Sequence, residues 1–166
     1  MNERKSTFFM HCGAHAATID DVANVVTPAN TATHYPVPHI ALYEQFKDRL
    51  AETGLRLVDE QHALHSKHNI PGCNWFALFE LESERSDYNL VAATRNSHGK
   101  DYSMLAGLGD LAFICDNLAF NIEFQLSRKH TRNIFRDLPQ LVSRAVAGLM
   151  DQRIQQDQRI ALYKAE

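Results

Sequence analysis

The chain has 166 residues and a mass of 18.9 kDa, with 45% hydrophobic and 22% charged residues, which is enough for one globular core and too little for two. Seven Gly and five Pro exclude a collagen-like chain, and the apolar content excludes wholesale disorder. Seventeen Lys and Arg against 20 Asp and Glu leave a net charge of −3, so any role on nucleic acid has to come from a local patch.

Residues 1–38 are rich in Ala, Thr, Asn, His and Pro and read as an irregular arm, in which Asp20-Asp21 before Val22, Val25 and Val26 supports one short helical turn. After Pro38 the pattern changes. Ile40, Leu42, Tyr43, Phe46 and Leu50 recur at helical spacing and Gly54 sits at the C-terminal end, which predicts an amphipathic helix over 39–53. Three β-like runs follow, separated by the HNIPG turn and a polar ERSD segment, as in an antiparallel meander. DYSMLAGLG (101–109) reads as a short helix, and two further strands come after it. In the second of these, Phe120, Ile122, Phe124 and Leu126 alternate with polar residues, so one face is expected to be buried. Leu138, Leu141, Val142, Ala145, Val146, Leu149 and Ile154 then mark a long helix over 137–164, with Pro139 in its first turn and a polar tail that leaves the core. The order predicts an α+β fold: an antiparallel sheet of about five strands, packed against a helix in the N-terminal half and a long C-terminal helix.

No signature of a phosphate loop, nucleophile elbow, zincin or dinucleotide fold occurs, and no catalytic residue, metal or cofactor is expected. His62, His65 and His68 have a metal-like spacing. On a strand, however, His65 faces away from the other two, so they read as surface histidines. His11, Cys12 and His15 lack a fourth ligand. Ser97, His98 and Asp101 are neighbours in sequence, which is no evidence for a triad. Glu80, Glu82 and Glu84 read as a solvated strand face. Cys12, Cys73 and Cys115 form no CxxC pair, and the odd count suits a reducing compartment. The Phe8-Phe9-Met10 run is too short for a signal segment, and nothing approaches the ~20 apolar residues of a membrane span. A cytoplasmic protein without a membrane partner is expected.

Residues 95–136 carry +2 and the remainder −5. Within them Arg95, Lys100, Arg128, Lys129, Arg132 and Arg136 are the basic groups, and RKHTRNIFR (128–136) contains no acid. Such a patch neutralises phosphates, with Thr131 and Asn133 adding hydrogen bonds. The alternative is a solvated connection whose arginines pair with the acidic run Glu80–Asp87.

THYPVPH (33–39), EQHAL (60–64), TRNSHGK (94–100), FICDNLAF (113–120), RKHTRN (128–133) and DLPQLV (137–142), in that order, resemble the phage- and plasmid-encoded family described as domain of unknown function 932. The resemblance covers residues 10–164. It implies a mobile-element protein whose hallmark residues fall on Arg95, Asn96, Ser97, His98 and Lys100, on Cys115, Asp116 and Asn117, and on Lys129, His130, Thr131 and Asn133. Gly99 departs from the family's frequent acid at that position, and Ala92-Ala93-Thr94 stands where a Gly-Leu pair is common. The chain also stops soon after Tyr163-Lys164-Ala165, where many relatives continue. Asp116-Asn117 and Asn96-Ser97 suit either turns or a polar strand-end cluster. The expected function is non-catalytic binding of nucleic acid, single-stranded by preference, by Arg95, Asn96, Ser97, His98, Lys100, Arg128, Lys129, His130, Arg132, Asn133 and Arg136, with homo-oligomerisation compatible with it. The competing expectation is a host-factor-binding inhibitor used in counter-defence. An enzyme acting on a nucleotide ranks third.

Overall fold

The computed structural model describes residues 9–10, 13–82, 90–114 and 120–165. The sheet is an antiparallel meander of β3 (Arg56–Lys67), β4 (Ile70–Glu82), β5 (Leu90–Ser97), β6 (Met104–Ile114) and β7 (Phe120–Arg128). Two short strands from the arm extend it: β1 (Phe9–Met10) runs parallel to Phe113–Ile114 of β6, and β2 (His15–Ala17) pairs antiparallel with β3. The expected α+β architecture is present, with α2 (His39–Glu52) and the long α3 (Ile134–Ala165).

The arm is more ordered than its composition suggests. Thr18 caps α1 (Ile19–Ala23) in a reciprocal capping box with Asp21, and Val22 and Val37 are buried in the main core.

In α2 the predicted spacing buries Leu42, Tyr43, Phe46 and Leu50. The helix ends where the Thr53 hydroxyl donates to the Leu50 carbonyl and Gly54 turns at φ +74°. These side chains meet one face of the sheet, where Trp75, Ala77, Phe79 and Leu81 alternate along β4, and α3 adds Ile134, Leu138, Val142, Ala145 and Leu149. Phe76 and Leu78 point to the other face, with Ala63 and Ala93. Being central, β4 is buried on both sides.

Two expectations are corrected. Residues 104–109, read as part of a short helix, belong to β6, because the Gly-rich run Met104–Gly109 pairs with β5 on one side and β7 on the other. Tertiary pairing outweighs the weak local pattern. Pro139 lies six residues into α3 rather than in its first turn, since Asp137 N–H already donates to the Asn133 carbonyl. The hydrogen bond it removes belongs to Phe135, which is exposed, so water can satisfy that carbonyl. The polar tail does leave the core: Ile154, Leu162 and Tyr163 are exposed. The side chains of residues 120–127 lie outside the described set, and with them the expected buried face of that strand.

His68 and Asn69, at φ 55° and 58°, form the two-residue turn between β3 and β4, the mirror-image type that suits a twisted hairpin. Beside it the register shifts: His65 pairs with Asn74, but Lys67 with Ile70. The extra residues include Gly72, at φ +61°, whose carbonyl turns toward His39.

Gly72 and Gly54 both adopt positive φ, but a Cβ on Gly72 would lie 2.8 Å from Val25 Cγ2, whereas nothing is within 4 Å at Gly54. Gly54→Ala is expected to cost about 1 kcal/mol of backbone strain and Gly72→Ala at least twice that, compared by urea midpoints followed by circular dichroism. Equal losses would show that Val25 yields without cost.

Candidate functional site

Three connections meet at one end of the sheet: residues 33–38 before α2, residues 98–103 after β5, and residues 129–133 before α3. The first and last are stitched by the side chain of Asn96, which is fully buried, and the middle one is joined to the first through His98. Its Nδ2 donates to the Val37 carbonyl at 2.7 Å and to His39 Nδ1 at 2.9 Å, so its Oδ1 is the acceptor for His130 Nε2–H at 2.6 Å. His39 Nε2–H donates to the Gly72 carbonyl at 2.8 Å, consistent with the unprotonated Nδ1 that Asn96 requires. The His98 ring stacks parallel on His39 with centroids 3.7 Å apart and donates from Nε2 to the Val37 carbonyl at 3.0 Å. His34 Nε2–H reaches the His98 carbonyl at 3.0 Å, and Tyr35 N–H reaches the His130 carbonyl at 3.1 Å.

His39, His98 and His130 are neutral at pH 7. Burial holds His39 down to about 3, with repulsion from His98 adding to it. His98 is held to about 4 by burial, against the opposing Val37 hydrogen bond, and His130 to about 4 by burial and then repulsion from His34 and His98. His98 Nδ1 is buried without a hydrogen-bond partner.

Outside this network lies an open cleft of about 440 Å³, lined by Thr33, His34, Gly99, Lys100, Asp101, Tyr102, Ser103, Lys129, His130 and Thr131. Lys100 and Lys129 are exposed, and neither forms an ion pair among the described residues. Asp101 lines the same cleft without an ion pair to either lysine. Its Oδ1 meets His68 Nε2 at 2.8 Å and its Oδ2 is buried. Burial pushes its carboxyl upward, but His68, then Lys67 and Asn74, together outweigh that and leave it below the usual carboxylate value. A Cβ on Gly99 would sit 3.1 Å from Cys73 Sγ and 3.4 Å from Asp101 Oδ2, so Asp101 crowds the position where the resemblance implied an acid.

The proposed binding residues therefore separate. Asn96, Ser97, His98 and His130 are interior side chains, with the Ser97 hydroxyl donating to Asn74 Oδ1, and only His130 of the four reaches the cleft. Arg95 lies on the sheet face away from the helices, its guanidinium 5.0 Å from the Tyr102 ring centroid and its Nε donating to the Ser103 carbonyl. Arg128 and Arg136 both bind Asp137. Their described partner is thus Asp137 rather than the Glu80–Asp87 run, of which residues 83–89 lie outside the described set. Lys129, Arg132 and Asn133 are exposed, and Asn133 immediately precedes α3, its carbonyl accepting from Asp137 N–H. Cys12, Cys115, Asp116, Asn117 and Glu84 lie outside the described residues.

His62 is buried, not a surface histidine. Its Nδ1 accepts from Trp75 Nε1–H and its Nε2 donates to Glu60 Oε1, beside Tyr43 and Lys47. His68 is exposed, as expected. Among the described residues no three metal-ligating side chains converge, Cys73 is a free buried thiol, and no helix is long and apolar enough to cross a membrane. No protein-family model, curated protein or solved structure matches this chain.

Two outcomes follow from the histidine network. Asn96→Ala leaves His39 Nδ1 and His130 Nε2–H buried without partners and is expected to cost about 2–4 kcal/mol in urea unfolding. Separately, each of His39, His98 and His130 binds its proton more tightly unfolded, near 6.5, than folded. The unfolded state therefore takes up protons first, and stability is complete above about pH 6.5 and is lost as pH falls toward 4. Urea midpoints measured between pH 7.5 and 5 should fall steadily, above the range where Glu60 and Asp101 titrate. A flat profile there would mean that the three rings are not held neutral.

Proposed function

We propose that this is a mobile-element protein that binds nucleic acid, single-stranded by preference, without catalysing a reaction, on a surface made by Lys100, Lys129, Arg132 and Phe135. The observation that carries this reading is the pair Lys100 and Lys129 lining one cleft with no counter-ion among the described residues, while the neighbouring arginines are engaged elsewhere. Unpaired cations at an open cleft favour phosphate, and releasing the counter-ions of the phosphates contributes to affinity.

Phe135 supports the preference for single strands. It is 48% exposed in the first turn of α3, three residues after the exposed Arg132 and next to Arg136. An exposed aromatic ring among cations offers a stacking surface for unpaired bases and none for a closed duplex. The resemblance to a phage and plasmid family supports the mobile-element setting.

The double reversal Lys129→Glu with Arg132→Glu is expected to weaken binding of a labelled single strand at least tenfold at low salt. It should also reduce the slope of log K against log salt by about 0.7 for each phosphate that is no longer neutralised. Phe135→Ala should weaken single-strand binding several-fold and leave duplex binding unchanged, as read by fluorescence anisotropy. Unchanged affinity and slope in the double reversal would sink the reading.

A further inference from the structure

We propose that the cleft between residues 33–34, 99–103 and 129–131 is a pocket for one nucleoside monophosphate, its phosphate held by Lys100 and Lys129 and its nucleoside hydrogens accepted by Nδ1 of His34 and His130. This deepens the nucleic-acid reading and rests on it for the source of the nucleotide, which is either a free molecule or the 5′ end of a strand.

A carbonyl can only accept, so His34 must donate from Nε2 to the His98 carbonyl. The Asn96 amide is fixed by its two donor bonds, so His130 must likewise donate from Nε2 to Asn96 Oδ1. In the neutral ring each Nδ1 is then a lone-pair acceptor, and neither meets a hydrogen-bond donor among the described residues. The rings stand 5.4 Å apart and both line the cleft. Burial keeps His130 neutral at pH 7, so its acceptor persists under ordinary conditions.

Inorganic phosphate offers such acceptors only the one or two O–H groups on the anion itself, whereas a larger ligand brings hydrogens separate from its charged end. The cleft sets two ammonium groups and the hydroxyls of Thr33 and Thr131 beside two imidazoles whose tautomers leave Nδ1 as acceptors, a combination that matches a ligand with an anionic end and an O–H- or N–H-bearing body. A nucleoside monophosphate has that form, through its sugar hydroxyls or base amino groups. The Asp101 carboxylate also lines the cleft, with Oδ1 meeting His68 Nε2 and Oδ2 buried without a hydrogen-bond partner, so the phosphate is held only because the two ammonium groups outnumber that one negative charge. The volume of about 440 Å³ falls within the range of about 300–1,000 Å³ found for small-ligand pockets.

Calorimetry on the full chain at pH 7.5 tests this with the four ribonucleoside 5′-monophosphates, inorganic phosphate and adenosine. The tightest monophosphate is expected to bind at least tenfold more strongly than phosphate or adenosine alone. Lys100→Ala should weaken both the monophosphate and phosphate at least fivefold. His34→Gln keeps an amide donor for the His98 carbonyl but removes Nδ1, and it should weaken the monophosphate several-fold while leaving phosphate unchanged. A wild-type protein that binds no monophosphate more tightly than phosphate overturns the proposal, whatever the variants do. It is also overturned if both variants, with wild-type urea midpoints, bind the monophosphate as the wild type does. Competition by a 5′-phosphorylated decanucleotide but not its 5′-hydroxyl counterpart supports the pocket as a strand-end site, and competition by neither supports a free nucleotide. Single-strand binding that persists without monophosphate binding removes the pocket alone. Monophosphate binding in a protein with no affinity for strands removes only the nucleic-acid reading.

Discussion

One amide side chain holds this end of the molecule together. Asn96 sits at the end of β5 with its side-chain hydrogen bonds directed inward: one N–H reaches Val37 before α2, the other His39 at the start of α2, and the carbonyl receives His130 from the chain before α3. A carboxylate could not make both donations, and an apolar residue would make none. Two of the three connections that border the cleft are thereby tied to the sheet and to each other, and His98, bonded to the Val37 carbonyl and to His34, adds the third, so the cleft's shape follows from buried polar groups more than from the surface residues that line it.

The same arrangement sorts the charged and polar groups. Imidazoles inside are kept neutral because burial disfavours their charged form, whereas lysines at the rim keep water and their charge. Arg128 and Arg136 compensate Asp137 at the start of α3, which uses two of the positive charges for structure. The net excess seen over residues 95–136 is therefore delivered at fewer positions than the count suggests, chiefly Lys100, Lys129 and Arg132.

The parts of the fold written in local pattern were legible from the sequence. The spacing of Leu42, Phe46 and Leu50 and the stripe from Leu138 to Leu149 each report a helix with one buried face, and HNIPG reports a turn. Met104–Gly109 was not legible, because its strand state comes from two neighbours distant in sequence. Nor was the burial of Asn96, His98 and His130. A polar residue at a strand end looks the same in sequence whether its partner is water or another loop, and the partners of these three side chains lie up to 61 positions away. Phe135 carried a weak signal, an aromatic between Arg132 and Arg136, which composition alone could not assign to the surface.

Trp75, the chain's single tryptophan, is seated within this polar interior. Its indole N–H donates to His62 Nδ1, its ring lies parallel to His62 with centroids 6.1 Å apart, and His39 is 5.9 Å away. Excited indole loses its emission to a protonated imidazole far more readily than to a neutral one. The fold thus contains an optical gauge of its own interior protonation, legible in native emission without a label and silent about the lysines at the rim.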